Sequence, residues 1–265
     1  MKTIILLLLA LIFLQVFNGC GFLAKKYTKS ETEEIRINTA GKRKISLENI
    51  SGNIRIIKSS DSSAIIIKAL KETKVKKKEL ETPFDEIKIE TDTNSENISV
   101  RTVINKNVGI KFFNLGRNPT VDYDLYIPEN IEIEIENING DLSAKNLNNS
   151  LKISLVNGDA EIENYTGTLN CEITNGSFYG EVDSTEGINV SIINGSITMN
   201  LSNFMNANIS AETVNGKISN ENIQLRELRK EKKLLKAKIG NQETDVEIKV
   251  ETVNGKIKLT GKNEI

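Results

Sequence analysis

Acidic side chains in the second half of the chain are the residues whose type and spacing could support catalysis. Enzymes that cleave polysaccharides place two carboxylates across a groove. Each candidate here alternates with apolar residues and takes an outward position on a strand, where solvated carboxylates are common. We therefore predict that the protein is not an enzyme, with a polysaccharide-cleaving enzyme as the alternative. The candidates by charge are Glu134, Glu136, Glu161, Glu163 and Glu172.

The amino-acid composition further limits the kinds of catalytic or binding site that the protein can contain. The 265-residue chain contains no histidine, which removes Ser–His triads, Cys–His pairs and most zinc sites. It has neither a Gly-rich phosphate loop nor the Gly-Gly-x-Gly-x-Asp calcium repeat. The net charge of -1, from 35 basic and 36 acidic residues, provides no basic field for nucleic acid. We predict no cofactor, no metal and no nucleic-acid partner.

An Asn-Gly pair recurs through the second half of the chain and organises it. Successive pairs are 18, 18, 19 and 21 residues apart, and the last follows after 39, close to two periods. A fixed period of this length predicts stacked repeats. An earlier copy near residues 45–56 carries Ser in place of Asn. The corner pairs are Ser51-Gly52, Asn139-Gly140, Asn157-Gly158, Asn175-Gly176, Asn194-Gly195, Asn215-Gly216 and Asn254-Gly255.

Apolar columns appear when the copies are aligned on the Asn. Polar residues alternate with these columns, and strict alternation buries one side of a strand. Each copy is therefore a strand, a corner and a second strand. Six residues before the Asn stand Ile133, Leu151, Leu169, Ile188, Ile209 and Ile248. Four before stand Ile135, Ile153, Cys171, Val190, Ala211 and Val250, and three after stand Leu142, Ala160, Phe178, Ile197, Ile218 and Ile257.

Two folds are compatible with this pattern. Asn-Gly is a strong hairpin signal, which would give a meander or barrel. The columns instead favour a β-solenoid, in which like residues stack into a continuous core. Corner Asn amides would then hydrogen bond along the stack, and Asn and Gly would supply the positive φ of a sharp corner. We predict an all-β solenoid of about 18–20 residues per coil with an irregular N-terminal β region.

The N-terminal residues have the pattern of a targeting signal. Lys2 is followed by an apolar run over residues 4–17 and then by Asn18-Gly19-Cys20, as in a secretory signal peptide. The Cys after Gly19 resembles that of a bacterial lipobox, which implies cleavage before Cys20 and lipidation of its thiol. Because a membrane span needs about 20 residues, a lipoprotein is favoured over an uncleaved anchor. We predict a lipid-anchored protein of the bacterial cell envelope, on the periplasmic face of the outer membrane or at the cell surface.

These features divide the chain into four regions. Residues 1–19 are the lipoprotein signal peptide and 20–34 a tether. Residues 35–134 form an N-terminal β region in which the solenoid starts, and residues 135–265 form the Asn-Gly repeat solenoid.

Three local features complete the prediction. In the N-terminal region, residues 64–70 read as a strand and residues 71–81 as a solvated loop or short helix. Residues 244–258 are expected to close the array as its last copy. Cys171 lies in an apolar column and is expected to be a buried small hydrophobe.

Two segments are candidate contact patches. Phe112-Phe113 lies in an irregular stretch and either forms a contact patch or tucks under the first coil as a cap. The basic segment 225–239 is either a helix or a pair of charged strands that turn at Gly240-Asn241. It either contacts anionic lipid or wall polymer or is a solvated surface with Glu partners. Its candidate contact residues are Arg226, Arg229, Lys230, Lys232 and Lys233.

The order of these features resembles the bacterial putative adhesin family, a domain of unknown function related in pattern to the head-GIN domains. The likeness covers roughly residues 35 to 260. It implies a right-handed parallel β-helix at the cell envelope, without common catalytic residues. We predict a non-catalytic binding, adhesion or structural module whose partner is envelope glycan, lipid or protein, with an envelope-stress sensor as an alternative. The likeness rests on Ile50–Ile54, Asp122–Pro128, the Asn-Gly corners, Lys238–Gly240 and Thr252–Ile257.

Overall fold

A computed structural model describes residues 27–75, 77, 80, 84, 87–104 and 119–262. The regular elements in these residues are strands. In the same residues, no helix has the length and hydropathy needed to cross a membrane. The first ten are β1 (Tyr27–Asn38), β2 (Lys44–Ser51), β3 (Ile54–Lys58), β4 (Ala64–Val75), β5 (Ile87–Thr93), β6 (Asn97–Ile104), β7 (Thr120–Ile127), β8 (Glu132–Asn139), β9 (Leu142–Lys145) and β10 (Leu151–Asn157). The others are β11 (Ala160–Tyr165), β12 (Thr168–Asn175), β13 (Phe178–Val182), β14 (Gly187–Asn194), β15 (Ile197–Ser202), β16 (Ala207–Asn215), β17 (Ile218–Glu221), β18 (Leu225–Lys230), β19 (Leu234–Ile239), β20 (Glu247–Asn254) and β21 (Ile257–Lys262).

The strands form two large sheets, and each repeat contributes one strand to each sheet. The ten-stranded sheet has the order β1-β4-β7-β3-β9-β11-β13-β15-β21-β17, and the eleven-stranded sheet has the order β18-β19-β16-β20-β14-β12-β10-β8-β2-β6-β5. Neighbouring repeats pair in parallel. The all-β prediction is confirmed. The hairpin interpretation of Asn-Gly is wrong, because the two strands that flank each corner belong to different sheets.

The strand register aligns the apolar columns found in the sequence. Ile153 lies opposite Ile135 on one side and opposite Cys171 on the other. All three side chains are fully buried. Inward residues of both sheets belong to one hydrophobic core, so stacking like residues creates the continuous apolar interior that a single repeat lacks.

The early copy at Ser51-Gly52 is the direct neighbour of the first Asn-Gly repeat. Ser51 lies opposite Asn139 in the eleven-stranded sheet, and Ile54 lies opposite Leu142 in the ten-stranded sheet. The long intervening segment supplies β4 to β7, which extend both sheets beyond this copy.

The last copy in sequence is not the last in space. Strands β20 and β21 lie between β14–β15 and β16–β17. The prediction that residues 244–258 close the array is therefore wrong. Ile248 fits between Ile188 and Ile209, and all three have the same side chain. Columns of like residues specify a position within a repeat but leave the order of repeats open.

The basic segment 225–239 forms a β-hairpin. Strands β18 and β19 pair antiparallel, and β19 also pairs antiparallel with β16. The strand alternative is confirmed and the helix is wrong. The predicted turn at Gly240-Asn241 is also wrong, since the chain turns at residues 231–233, where Glu231 N donates to Leu234 O.

Two assignments near the N-terminus are corrected. Strand β1 begins at Tyr27 and so occupies part of the predicted tether at 20–34. Strand β4 continues through Val75, where a loop or short helix was expected from residue 71. Lys71 is buried there, with Nζ 2.7 Å from Glu33 Oε2 and 3.5 Å from Glu31 Oε1. Ion pairing between β1 and β4 thus allows β4 to contain the charged Lys71. Hydropathy alone would predict that the strand ends before this residue.

Candidate functional site

The corner Asn side chains form a hydrogen-bonded ladder, named here the Asn column. In stack order it contains Asn139, Asn157, Asn175, Asn194, Asn254 and Asn215. Each Nδ2 from Asn157 onward donates to the Oδ1 of the preceding Asn, at 2.8–3.0 Å. The first, Asn139, donates instead to Ile50 O at 3.4 Å. Both ends of each interior amide are therefore used within the protein.

Corner glycines are required by two separate constraints. Positive φ occurs at Gly52, Gly140, Gly158, Gly176 and Gly195, but at none of the corner Asn residues. The prediction that Asn also supplies positive φ is therefore wrong, and glycine alone adopts this corner conformation. In addition, a Cβ on Gly176 would overlap the carbonyl oxygen of Gly158. The same overlap with the preceding repeat occurs at every other Asn-Gly corner, including Gly216 and Gly255, which lie outside that φ range. The sequence argument from φ missed this close approach of neighbouring backbones.

Asp141 and Asp159 lie two residues after their corner Asn and cap backbone groups of the next repeat. Asp159 N donates to Asp141 Oδ1 at 2.9 Å, and Ser177 N donates to Asp159 Oδ1 at 2.7 Å. Within the described part of the chain, no cluster of His, Cys, Asp and Glu is arranged to hold a metal ion.

The candidate catalytic carboxylates are divided between two sheets. Glu134, Glu136 and Glu172 lie in the eleven-stranded sheet, whereas Glu161 and Glu163 lie in the ten-stranded sheet. The structure therefore does not bring the five into one cluster.

For Glu134 and Glu163, the direction of the pKa shift is opposite to that of a general acid. Glu134 lies 2.6 Å from Lys152 Nζ and 2.7 Å from Lys44 Nζ, and these hydrogen bonds lower the pKa of Glu134. Lys145, at 2.7 Å, likewise lowers the pKa of Glu163. A glycosidase acid needs a raised pKa.

A row of exposed aliphatic side chains follows the Asn column along the eleven-stranded sheet. These residues immediately precede each corner and take the outward position of their strand. Exposure is 45% at Ile138, 41% at Val156 and 49% at Ile193, and it reaches 58% at Val214. We name this row the apolar column: Ile50, Ile138, Val156, Thr174, Ile193, Val253 and Val214.

An open groove runs beside five members of the apolar column. It has a volume of about 520 Å³. It is also lined by Glu136, Ser154 and Glu172, which lie on the same strands. At one end Arg101 donates to both carboxylate oxygens of Glu48, at 2.7 and 2.8 Å, and this pair lowers the pKa of Glu48. The groove thus combines aliphatic side chains with carboxylates.

Sequence reasoning missed the apolar column, although a signal for it was present. The residue before the corner is Ile or Val in six of seven copies. Alternation makes this position outward, so aliphatic residues there depart from the inward-apolar pattern. Alignment of the inward positions alone does not detect these outward aliphatic residues.

The predicted contact residues are only partly described. Phe112 and Phe113 lie outside the described residues, as does Cys20. In the hairpin, Arg229 lies 2.7 Å from Glu231, and Lys230 Nζ donates to Asn220 Oδ1 at 2.6 Å. Lys233 Nζ donates to Gly216 O at 3.0 Å, while Arg226 and Lys232 are exposed. Several cations of this patch therefore have local partners.

Cys171 lies in the interior of the stack. It is a free, fully buried thiol, and burial raises its pKa far above the ordinary value. A thiol in this environment is an inert component of the core.

No protein-family model and no curated protein matches the chain. Among solved structures, a "putative cell adhesion protein" from Clostridium sporogenes matches with TM-score 0.45 and 15% identity, over 88% of this chain and 100% of its own. A "putative adhesin" from Bacteroides fragilis matches with TM-score 0.36 and 12% identity, over 86% and 96%. A "putative lipid binding protein" from Parabacteroides distasonis matches with TM-score 0.33 and 12% identity, over 88% and 97%. Likeness at this level carries no inference about function.

Proposed function

We propose that this protein is a non-catalytic binding module of the bacterial cell envelope, built as a β-solenoid and held at a membrane by a lipid on Cys20. The observation that carries the binding role is the apolar column with its groove. The partner is an envelope glycan, lipid or protein that lies along the stack of repeats.

The solenoid interpretation rests on the way the chain alternates between sheets. Each repeat places one strand in each sheet, and the strands of neighbouring repeats stack in parallel with like residues opposite. One repeat per coil is the simplest path that satisfies both sheets. Such a fold offers an extended surface whose features recur about every 4.8 Å, the spacing of adjacent strands.

The apolar column is not required by strand formation. β-branched residues do favour strands, but the outward position two residues earlier is polar in every copy. Those residues are Glu48, Glu136, Ser154, Glu172, Ser191, Glu251 and Glu212. The same sheet face therefore tolerates polar side chains. The column has five exposed aliphatic residues, with Ile50 and Thr174 half-buried, and a row of exposed aliphatic side chains is typical of an interaction surface.

The length of the column favours an elongated partner. Seven strands at roughly 4.8 Å span about 29 Å. The carboxylates beside the column favour partners that bring hydroxyl, amide or cationic groups to the groove, because ionised carboxylates only accept hydrogen bonds.

Loss of binding on removing the aliphatic surface would test the proposed role. The variant lacks the first 20 residues of the chain and combines Ile138→Ser, Val156→Ser and Ile193→Ser. Co-sedimentation with purified peptidoglycan sacculi and, separately, with anionic phospholipid vesicles is compared with the unsubstituted chain. The matched control combines Phe204→Ser and Leu228→Ser, since these exposed apolar residues lie outside the column. Binding that is equal in all three proteins, or absent in all, contradicts the assignment of this surface for those two partners.

The anchor is tested separately. In cells given a fatty-acid probe, the full-length chain should label and partition with membranes, and Cys20→Ala should do neither. Cys171→Ala is the matched control, because that thiol is buried. Unchanged labelling of Cys20→Ala contradicts the lipid anchor and leaves the binding surface untouched.

A further inference from the structure

The six Asn-Gly pairs of the repeat array share one intrinsic reactivity. The Gly nitrogen can attack the Asn side-chain carbonyl carbon, and Gly offers the least steric hindrance to that approach. Asn is accordingly among the residues that limit long-term chemical stability. All six Asn residues are exposed, so exposure does not distinguish them.

Five of the six pairs are restrained by the next repeat in the stack. Gly140 N donates to Asn157 O at 2.9 Å, and Gly158 N donates to Asn175 O at 3.0 Å. The pattern continues through Gly176 and Gly195 to Gly255 N, which donates to Asn215 O at 3.3 Å. Each of these five Asn residues also accepts at Oδ1 from the next amide. Attack requires the Gly N–H bond to break, and the bond at Oδ1 restrains rotation of the Asn side chain.

Asn215-Gly216 stands at the end of the stack and has neither restraint. Among the described residues, no acceptor lies opposite Gly216 N and no donor binds Asn215 Oδ1. The hairpin reaches β16 only as far as Thr213, whose N donates to Lys233 O at 3.0 Å. Lys233 Nζ holds the Gly216 carbonyl but leaves the Gly216 N–H open.

The order of the repeats in the stack decides which Asn is terminal. If repeats stacked in sequence order, Asn254 would be the terminal Asn. Because β20 and β21 are inserted between the fourth and fifth Asn-Gly repeats, Asn254 is an interior member of the column. Asn215 becomes terminal instead.

We infer that Asn215 is a site of spontaneous deamidation and isoaspartate formation in the folded protein, whereas the other five Asn-Gly pairs are protected. Gly216 N loses its proton to solvent base and bonds to Cγ of Asn215. The side-chain nitrogen leaves as ammonia, closing a succinimide. Water then adds to either imide carbonyl and breaks one C–N bond, giving Asp or isoaspartate. The net reaction consumes one water and releases one ammonia.

Modification at this end alters the stack in two ways. The Nδ2 donor to Asn254 is replaced by a carboxylate oxygen facing another oxygen acceptor, which removes the last bond of the Asn column. Isoaspartate also adds a backbone methylene at the corner between β16 and β17. The outermost repeat is thus the part of the array that changes with age.

The test follows the six pairs of the repeat array in one protein. The folded full chain is held at mildly alkaline pH in water enriched in oxygen-18, and peptides are mapped over time by mass spectrometry. Asn215 is expected to react at least roughly tenfold faster than each other pair, because two hydrogen bonds restrain the others. In concentrated urea the six rates should converge. Equal rates in the folded protein, or fastest reaction at Asn254, would overturn the inference.

A substitution at the terminal position separates the two restraints. Asn215→Ser removes the reactive amide and mimics Ser51, but keeps the residue 215 carbonyl that accepts from Gly255 N. Asn254 should therefore stay slow in this variant. Rapid reaction at Asn254 would overturn the role assigned to the Gly N–H bond.

Discussion

The N-terminal strands and the Asn-Gly array are built on different principles. In the N-terminal part, β1 pairs antiparallel with β4 and β4 with β7. The ion pair Lys71–Glu33 joins β4 to β1, and Arg55–Asp124 joins β3 to β7. In the array, the repeats pair in parallel, and Asn and apolar residues meet at the same positions of each interface. Unique pairs specify one neighbour, whereas repeated columns accept any other copy of the repeat.

This difference explains how the C-terminal copy comes to lie inside the array. Asn254 bonds Asn194 on one side and receives Asn215 on the other, as any member of the column can. The Asn column therefore does not specify the order of the repeats. In the N-terminal part an exchange of strands would separate charged partners, so only one order satisfies them.

Backbone spacing at the corners should be the most sensitive feature of the array. Gly176→Val forces a side chain into the carbonyl of Gly158 and imposes strain at φ 149°, so a loss of more than about 4 kcal/mol in unfolding free energy is expected. Gly187→Val is the control, since Gly187 has φ 157° but a Cβ there meets only Glu247 O at 3.9 Å. Urea denaturation measures both, and equal losses would show that φ strain, not close approach, dominates.

The N-terminal part should depend instead on a single buried cation. Lys71→Ala removes the partner of the half-buried Glu33 and Glu31, and a loss of about 2 kcal/mol is expected. Lys68→Ala is the control because Lys68 is half-exposed and 3.9 Å from Glu34. A similar effect of the two substitutions on urea midpoints would contradict the specific role of Lys71.

Interior and terminal members of the Asn column should differ by one hydrogen bond. Asn175→Ala removes two side-chain bonds and Asn215→Ala removes one. We expect losses of roughly 1–2 and 0.5–1 kcal/mol, given the net value of such bonds. Thermal unfolding monitored by circular dichroism compares them, and the opposite ranking would mean that the terminal repeat is held mainly through the Asn column.

The smallest expected effect is on how the free energy of unfolding depends on pH in the acidic range. Lys152 and Lys44 lower the folded-state pKa of Glu134, so its contribution is present above the unfolded pKa and is lost as pH falls through the lower folded value. Glu134→Gln should reduce unfolding free energy near neutral pH by less than about 1 kcal/mol and flatten the decline below pH ~4. Glu136→Gln serves as the control on the same strand, and an identical pH profile would contradict the role of the Lys partners.

Sequence periodicity by itself determined the strands, the corners and the inward columns, because burial of alternate residues imposes a period of two and the corner recurs at each repeat. It also determined that Ser51-Gly52 is a copy of the repeat. Tertiary structure alone decided which repeats touch, because identical columns carry no information about order. It likewise decided that Lys71 is buried and that backbones approach too closely for any Cβ at the corners. Each of these depends on a neighbour that is distant in sequence, and a local pattern cannot identify that neighbour.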